Sequence, residues 1–182
     1  APHSPALPDT LGLWGPVGMD GKAPAYMEKV VEAAVSAGTQ AMSQIHKGQL
    51  RYGSVTTEDV LYDSRDPQVF DPDLHQIRFE SEDGFGIRMF LYAAHAESLR
   101  GANKFLSRDF PGVLCDLVTA QTGDHTMFLP GAIGGLLMTR EFTTAYRLNM
   151  QRTGRILADY ALSITPEQET VLKPDMAIAR TE

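Results

Sequence analysis

The residues of this chain with the widest range of chemistry are five histidines: His3, His46, His75, His95 and His125. Neutral imidazole is the commonest metal ligand in proteins, and it also transfers protons near neutral pH. His95 follows the apolar run 87–94, which predicts a buried strand. Open α/β sheets bind ligands just beyond the carboxyl ends of their strands. On the residues alone, His95 is either a ligand at such a place or a structural histidine that closes a strand.

The other histidines have simpler interpretations. His46 lies in the last turn of a predicted helix, where the helix dipole favours a cation. His75 and His125 lie in predicted turns and are expected to face solvent. His3 lies close to the first residue, where disorder is common. Cys115 lies among apolar residues of a predicted helix, so a small buried hydrophobic side chain is expected there rather than a nucleophile.

A glycine-rich loop is the second place where chemistry is conceivable. Residues 130–135 read Pro-Gly-Ala-Ile-Gly-Gly and follow an apolar strand, as a phosphate-binding loop would. The loop lacks the Lys-Ser/Thr pair of a P-loop and the glycine spacing of a dinucleotide fingerprint. The chain also has no Gly-x-Ser-x-Gly, His-Glu-x-x-His or Cys-x-x-Cys motif. The glycines therefore predict a tight turn or a close approach of the backbone.

The elements that position these residues alternate between helix and strand. Apolar residues at three- and four-residue steps predict an amphipathic helix from Pro24 to about Lys47, with Gly48 as its stop. Residues 62–73 are rich in turn formers and predict a loop. Further helices are predicted over 109–122 and 142–163. Strands are predicted over 50–55, 76–80, 87–94, 126–129 and 170–178, and the pair around Asp83-Gly84 forms a hairpin.

This order predicts an α/β fold with a mixed β-sheet flanked by helices. The 182 residues fit one domain, 1–182. The chain carries 16 Lys and Arg against 23 Asp and Glu, a formal charge of −7, which speaks against a nucleic-acid partner. No apolar run approaches the roughly 20 residues that a transmembrane helix needs. The beginning of the chain looks like mature or cut sequence.

Six stretches carry a family resemblance: residues 8–16, 63–65, 71–79, 93–99, 107–112 and 128–134. They include Pro-Asp-Thr-Leu-Gly-Leu-Trp-Gly-Pro at the first, Ala-Ala-His-Ala at the fourth, and Ser-Arg-Asp-Phe-Pro-Gly at the fifth. In order and spacing they resemble the neutral/alkaline non-lysosomal ceramidase family, whose corresponding stretches include "ACHPTxLG", "SADFPG" and "LFLNGAAGD". These enzymes are zinc-dependent hydrolases of the N-acyl amide bond of sphingolipids.

The resemblance implies a site. By position, His3 matches the first histidine of the family's His-x-His motif and His95 the histidine of its "ACHP" turn, and both are Zn²⁺ ligands in the family. A catalytic zinc needs three protein ligands and an open position, where bound water is acidified toward about pH 7 and attacks the carbonyl. Gly131 and Gly134 lie in the loop that would direct backbone N–H groups at the developing oxyanion. The implied substrate is a ceramide-like lipid or another N-acyl amide.

The chain also departs from the family. The second histidine of His-x-His falls on Pro5, and the loop that is Gly-Asp in active relatives reads Gly134-Gly135. The family's other ligands, a glutamate and a tyrosine, lie downstream of this sequence, and its opening strands lie upstream. The resemblance therefore implies a ceramidase-like catalytic domain that is incomplete at both ends. Sheet edges deprived of those strands would need a cover.

Three functions stay open. In the first, a second polypeptide completes the domain, and the chain is one piece of a larger zinc-dependent amidohydrolase, secreted or periplasmic as the family suggests. In the second, the metal site has decayed, and the chain is a non-catalytic relative that keeps the fold for binding or assembly. In the third, an unrelated small-molecule enzyme uses the same pocket at the end of the sheet.

Overall fold

The computed structural model of the chain describes residues 6–57, 59–100, 103–135, 137–173, 175 and 177–180. Within them lie the helices α1 (Pro24–Ser43), α2 (Asp109–Thr122) and α3 (Tyr146–Ser163) and a short 3-10 helix, Pro166–Gln168. The strands are β1 (Gly48–Thr56), β2 (Leu61–Asp63), β3 (Asp73–Ser81), β4 (Gly86–Tyr92), β5 (His125–Pro130), β6 (Leu137–Thr139) and β7 (Thr170–Val171).

Five of these strands form one mixed sheet in the order β5-β4-β3-β1-β7. β4 and β5 run parallel, with α2 between them in the chain, and the other three neighbouring pairs are antiparallel. β2 and β6 form a separate antiparallel ribbon. The predicted α/β class with a mixed sheet is confirmed, and so is the predicted hairpin, which is β3 and β4.

The hydrophobic core lies between one face of the sheet and the helix pair α2 and α3. Phe90 and Tyr92 of β4 are fully buried there, and Phe110 of α2 packs edge-to-face on Phe128 of β5, with ring centroids 5.6 Å apart. Leu157 of α3 belongs to the same cluster. Because aromatic rings prefer this edge-to-face arrangement, the packing fixes α2 against the parallel pair that leads to His95.

Two helical glycines provide a test of this packing. A Cβ on Gly154 of α3 would clash with the side chain of Val113 in α2, whose Cγ1 would lie 2.7 Å away, whereas a Cβ on Gly38 of α1 would meet nothing within 4 Å. We expect Gly154→Ala to destabilise the protein by about 1–3 kcal/mol through overpacking. Gly38→Ala should instead stabilise it by about 1 kcal/mol, since alanine is the better helix former. Urea unfolding of both variants measures the difference, and a neutral Gly154→Ala would contradict the α2–α3 contact.

The opposite face of the sheet is apolar and only half-covered. The pairing registers place three rows of side chains on it, among them Tyr52, Ile77 and Met89 in one row and Phe79 and Ile87 in the next. Leu50 and Met127, which lie toward its two sides, are 46% and 47% exposed. Sheets normally bury an apolar face against a further layer. This face is therefore a surface that a second layer would cover.

The helix α1 begins at Pro24 as predicted, but it ends at Ser43, four residues before the predicted end, and Gly48 begins β1 instead of stopping the helix. No residue of α1 is buried, and Val31, Val35 and Met42 are 60–72% exposed. The apolar period therefore predicted the helix correctly, although the apolar side of the helix is exposed.

Three other predicted elements need correction. The predicted loop 62–73 contains part of β2, which forms because it pairs with β6, and neither short strand has a pattern of its own. The third helix begins at Tyr146 rather than 142, because the Asn149 side chain accepts hydrogen bonds from the N–H groups of Phe142 and Thr143 and holds them in a turn. Of the described residues in the last predicted strand, 170–178, only Thr170 and Val171 form a strand, β7.

Three histidines lie in elements other than those predicted; His125, expected in a turn, is the first residue of β5, although it is exposed as expected. His75 lies within β3, half-buried, where its Nδ1 is 2.7 Å from the hydroxyl of Tyr52 and its Nε2 is 2.8 Å from Asp71. The prediction of a solvated turn was therefore wrong, because the strand extends three residues further than its apolar pattern. His46 follows the shortened α1 and pairs with Asp83 at 2.9 Å, so its partner is a carboxylate of the hairpin.

A buried ion pair attaches the last part of the described chain to the sheet. Glu169, whose side chain is 1% exposed, accepts hydrogen bonds from Arg78 of β3, the shortest being 2.5 Å. Burial alone raises the pKa of Glu169, but the hydrogen bonds and charge of Arg78 outweigh it, so the pKa lies below its usual value. The pair thus stabilises the fold only while the carboxyl is ionised.

Glu169→Ala is expected to destabilise the protein by about 3 kcal/mol near neutral pH, because it leaves a buried guanidinium without its main partner. The matched control is Asp116→Ala, which breaks an ion pair with Arg108 whose side chains are 65% and 64% exposed, and it should cost less than about 1 kcal/mol. Because the folded pKa is lowered, the Glu169 contribution should disappear as pH falls below about 4. Urea unfolding at pH 7 and pH 3 tests both statements, and a loss that is equal at the two pH values would contradict them.

Among the described residues, none of the helices combines the length and apolar character that crossing a bilayer requires.

Candidate functional site

The candidate site lies at the edge of the sheet where the parallel strands β4 and β5 end. Tyr92, the last residue of β4, is paired with Pro130, the last residue of β5. The turn that holds His95 and the glycine-rich loop 131–135 therefore leave the sheet side by side. Because parallel strands end at the same edge, the two candidate features of the sequence meet in space.

The backbone around His95 is fixed by three hydrogen bonds. Its N–H donates to the carbonyl of Leu137 at 3.1 Å, which links the turn to β6. The N–H of Ala94 donates to Tyr92 at 2.9 Å, and the N–H of Glu97 donates to the carbonyl of His95 at 2.9 Å. The result is a tight double turn at the edge of the sheet.

The ring of His95 contacts the glycine-rich loop directly. Its Nε2 lies 3.1 Å from the carbonyl oxygen of Ile133, and its Nδ1 lies 3.8 Å from Oε1 of Glu97. The side chain is 18% exposed. A carbonyl oxygen only accepts hydrogen bonds, so the contact with Ile133 requires a proton on Nε2. The loop therefore orients the imidazole.

The two glycines that the resemblance places in the site have different surroundings. The N–H of Gly131 donates to the carbonyl of Tyr92 at 2.8 Å, and a Cβ on Gly131 would lie 3.1 Å from the same carbonyl carbon. Gly131 is thus needed for close approach of loop and strand, and its amide is engaged there. Gly134 is exposed, and a Cβ added to it would meet no atom within 4 Å. Among the described residues, its amide has no hydrogen-bond acceptor.

A small cavity adjoins His95, and Ile133 does not line it. Its volume is about 10 Å³, room for one water-sized group. His95, Glu97 and Ser98 contribute to its wall, together with Arg100 and Glu141, which pair at 2.5 Å. Ser98 and Thr139 of β6 are joined by a hydrogen bond of 3.2 Å. Met138 and Arg140 also line the cavity, and the guanidinium of Arg100 is neutralised by the carboxylate of Glu141.

The β2–β6 ribbon lies next to the glycine-rich loop. Asp63, at the end of β2, is 4% exposed and accepts hydrogen bonds from the N–H groups of Arg65 and Val69. Its Oδ2 lies 3.9 Å from the position a Cβ would take on Gly135. The Asp63-Ser64-Arg65 stretch, one of the six in the family resemblance, is therefore next to the glycine-rich loop.

The residues present suit a metal only in part. His3 and Pro5 lie outside the described residues, so the predicted meeting of His3 with His95 stays a prediction. Within the described part of the chain, no three His, Cys, Asp or Glu side chains come together as a metal site. His95 itself fits the role, because a metal-binding imidazole commonly donates its other N–H to a backbone carbonyl, as it does here to Ile133.

Glu97 is the residue of this site that the sequence reasoning missed. It lies two residues after His95, and only the tight turn at 95–97 brings the two side chains to the same cavity. The His-x-Glu spacing was a visible signal, since alternate residues share a side wherever the backbone is extended or turns tightly.

Comparison with solved structures identifies the fold. The chain superposes on the crystal structure of neutral ceramidase from Pseudomonas aeruginosa with a TM-score of 0.68 and 16% identity, over 80% of this chain and 27% of that one. A structure of ceramidase complexed with C2 matches with the same values. No family model matches the sequence, and no curated protein matches it. The chain therefore has a ceramidase-like α/β fold and spans about a quarter of the length of the ceramidases that share it.

Proposed function

We propose that this chain is one piece of a larger hydrolase that cleaves the N-acyl amide bond of a ceramide-like lipid with the help of zinc. The observation that carries the proposal is the contact between the His95 ring and the carbonyl of Ile133, at the carboxyl edge of the sheet. It joins the histidine and the loop that the family resemblance assigns to catalysis, within a fold that the chain shares with neutral ceramidase.

In this proposal His95 and His3 hold the zinc, and a second polypeptide supplies the remaining ligands. Zinc, when bound, supplies an acidified water and polarises the carbonyl of the amide. The chain's own residues orient and stabilise: Ile133 holds the ring of His95, and the N–H of Gly134 is directed to the oxyanion. Gly131 keeps the loop against β4, since its amide is already bonded to Tyr92. The substrate's acyl amide would lie over the loop.

One observation supports a second polypeptide that covers the sheet. The sheet face with Tyr52, Ile77 and Met89 has the apolar rows of a buried layer, and α1 leaves its valines exposed. A further layer on this face would bury both surfaces. We propose a secreted or periplasmic location on the family resemblance.

A second candidate function is a non-catalytic protein that keeps the fold for binding or assembly. It is favoured by the engaged amide of Gly131 and by Gly135, which stands where active relatives have an acid. In this case the cavity beside His95 is a remnant, and the apolar face of the sheet is the functional surface.

The deciding experiment is purification of the chain with whatever polypeptide accompanies it, followed by native mass spectrometry, zinc analysis and hydrolysis of a short-chain ceramide. The hydrolase proposal expects about one zinc for each complete site and release of the fatty acid. A complete complex, kept under conditions that retain metal, with no zinc and no amide hydrolysis would reject it in favour of the binding protein.

A further inference from the structure

We infer that the groove between α2 and α3 binds a single-chain amphiphile with a carboxylate head, of the chemical class of the fatty acids. Two arginines, Arg152 and Arg155, would hold the carboxylate, and apolar side chains of the same groove would contact the hydrocarbon chain. The groove shares no lining residue with the cavity beside His95. The inference therefore goes beyond the proposed function and does not depend on it.

The groove is a valley on the outer side of the two packed helices. Its volume is about 580 Å³, within the range of about 300–1,000 Å³ that small-molecule sites usually have. The core is built from other residues of these helices, among them Phe110 and Leu157. Because α2 and α3 cover the core side of the sheet, the groove would stay open if a second layer covered the opposite face.

One part of the groove is apolar. Val113 and Leu117 lie one turn apart on α2 and are half-buried, and Leu148 of α3 is 54% exposed. A bound hydrocarbon chain would remove this apolar area from water. A flexible chain reaches half-buried side chains of this kind, whereas the flat surface of a bilayer does not. The shape of the groove therefore favours a single chain over a membrane surface.

The other part of the groove is cationic. Arg152 and Arg155 lie three positions apart on α3, so their side chains are neighbours on the helix surface. Among the described residues, neither guanidinium pairs with a carboxylate. Arg78, Arg88 and Arg108, in contrast, each have a carboxylate partner. The groove thus contains two cations whose hydrogen-bonding groups are available to an anion.

The guanidinium of Arg152 is already held in place by an aromatic ring. Its Cζ lies over the ring of Phe142, 4.7 Å from the ring centroid. The ring attracts the cation but accepts none of the in-plane hydrogen bonds through which a guanidinium binds a carboxylate. Because the planar group is oriented in advance, less side-chain freedom is lost when the carboxylate binds.

One carboxylate also borders the groove. Asp116 accepts hydrogen bonds from both terminal nitrogens of Arg108, at 2.6 and 3.1 Å, so its charge is neutralised. The groove therefore keeps the positive charge of Arg152 and Arg155, although the chain as a whole carries −7. This charge complementarity selects an anionic head over a neutral or a cationic one.

The test begins with three ligands that separate the head from the chain. The full chain, with any polypeptide that copurifies, is titrated with decanoate below its micelle concentration, with acetate, which lacks the chain, and with decanol, which lacks the charge. Calorimetry measures the affinities. We expect decanoate to bind at least about tenfold more tightly than either control, because only decanoate uses both parts of the groove.

Four substitutions then locate the site. Arg152→Gln and Arg155→Gln should each weaken decanoate binding by about 10–100-fold, the usual effect of losing hydrogen bonds to a charged group. Leu148→Gln should weaken it by about fivefold through lost apolar contact. The matched control is Arg147→Gln, an exposed arginine of α3 that does not line the groove, and it should leave the affinity unchanged. Circular dichroism and thermal unfolding check that each variant folds.

Three results would overturn the inference: no decanoate binding by the folded chain, equal affinity in the wild type and the variant with both Arg152→Gln and Arg155→Gln, or acetate binding as tight as that of decanoate. Vesicles of phosphatidylglycerol distinguish a membrane from a free amphiphile. Vesicle binding that needs both arginines, without binding of decanoate, would also reject the inference and assign the groove to a lipid surface.

Discussion

Under the proposed zinc-dependent mechanism, replacing His95 by alanine is expected to remove most of the zinc and to lower kcat/KM for amide hydrolysis by more than about 100-fold, because loss of a ligand should exceed the 10–100-fold cost of losing an outer partner. The imidazole both contacts the glycine-rich loop and borders the cavity. Zinc content by mass spectrometry and initial rates on a short-chain ceramide measure the two effects.

The control for this prediction is His46→Ala, which removes a histidine paired with Asp83 far from the sheet edge. It should leave zinc content and kcat/KM within about twofold of the wild type, since substitutions at the surface and away from the candidate site change little. Full zinc occupancy and activity in folded His95→Ala would show that the histidine only closes the strand, and the hydrolase proposal would lose its central ligand.

Gly134→Pro is expected to lower kcat by about 10²–10³-fold, the usual cost of removing one oxyanion donor, with KM little changed. Proline has no N–H, and the amide of Gly134 is an exposed donor of the loop, whereas that of Gly131 is engaged by Tyr92. An interaction that forms only with the developing charge affects kcat rather than substrate binding. Steady-state kinetics on a soluble N-acyl amide separate the two constants.

Gly134→Ala is the matched variant, because it keeps the N–H and its Cβ would enter open space. Its kcat should lie close to that of the wild type. Equal losses in the alanine and proline variants would point to the geometry of the loop instead of the donor. No loss in the proline variant would remove Gly134 from the proposed mechanism and leave the loop with its structural role.

Much of the fold followed from local patterns in the chain. Alternation and an Asp83-Gly84 turn predicted β3 and β4, and the apolar steps of residues 109–122 predicted α2, because each pattern reports burial on one side of an element. Patterns of this kind failed at β2 and β6, which are three residues long and exist because they pair with each other. They also failed at Ser43, where the helix ends before its hydrophobic period does.

The candidate site, like the fold, could be predicted from the sequence only in part. Two runs of sequence, the one that ends at His95 and the one that opens at Gly131, could be recognised separately, since each follows a buried strand. Their contact depended on the parallel pairing of β4 with β5, which joins residues about 40 positions apart, and no local pattern carries that register. The engagement of the Gly131 amide by Tyr92 depended on it as well, whereas the approach of Glu97 to His95 depended on the local turn at 95–97.

The amino-acid sequence alone thus determined the main helices and strands, their order and the residues able to do chemistry, because helix and strand periods and glycine turns depend on neighbouring residues. The tertiary structure decided which of those residues meet, which amides are already occupied, and which faces stay bare. Those properties come from pairing and packing between distant segments, where a shift of one residue in a strand would move every side chain to the other face.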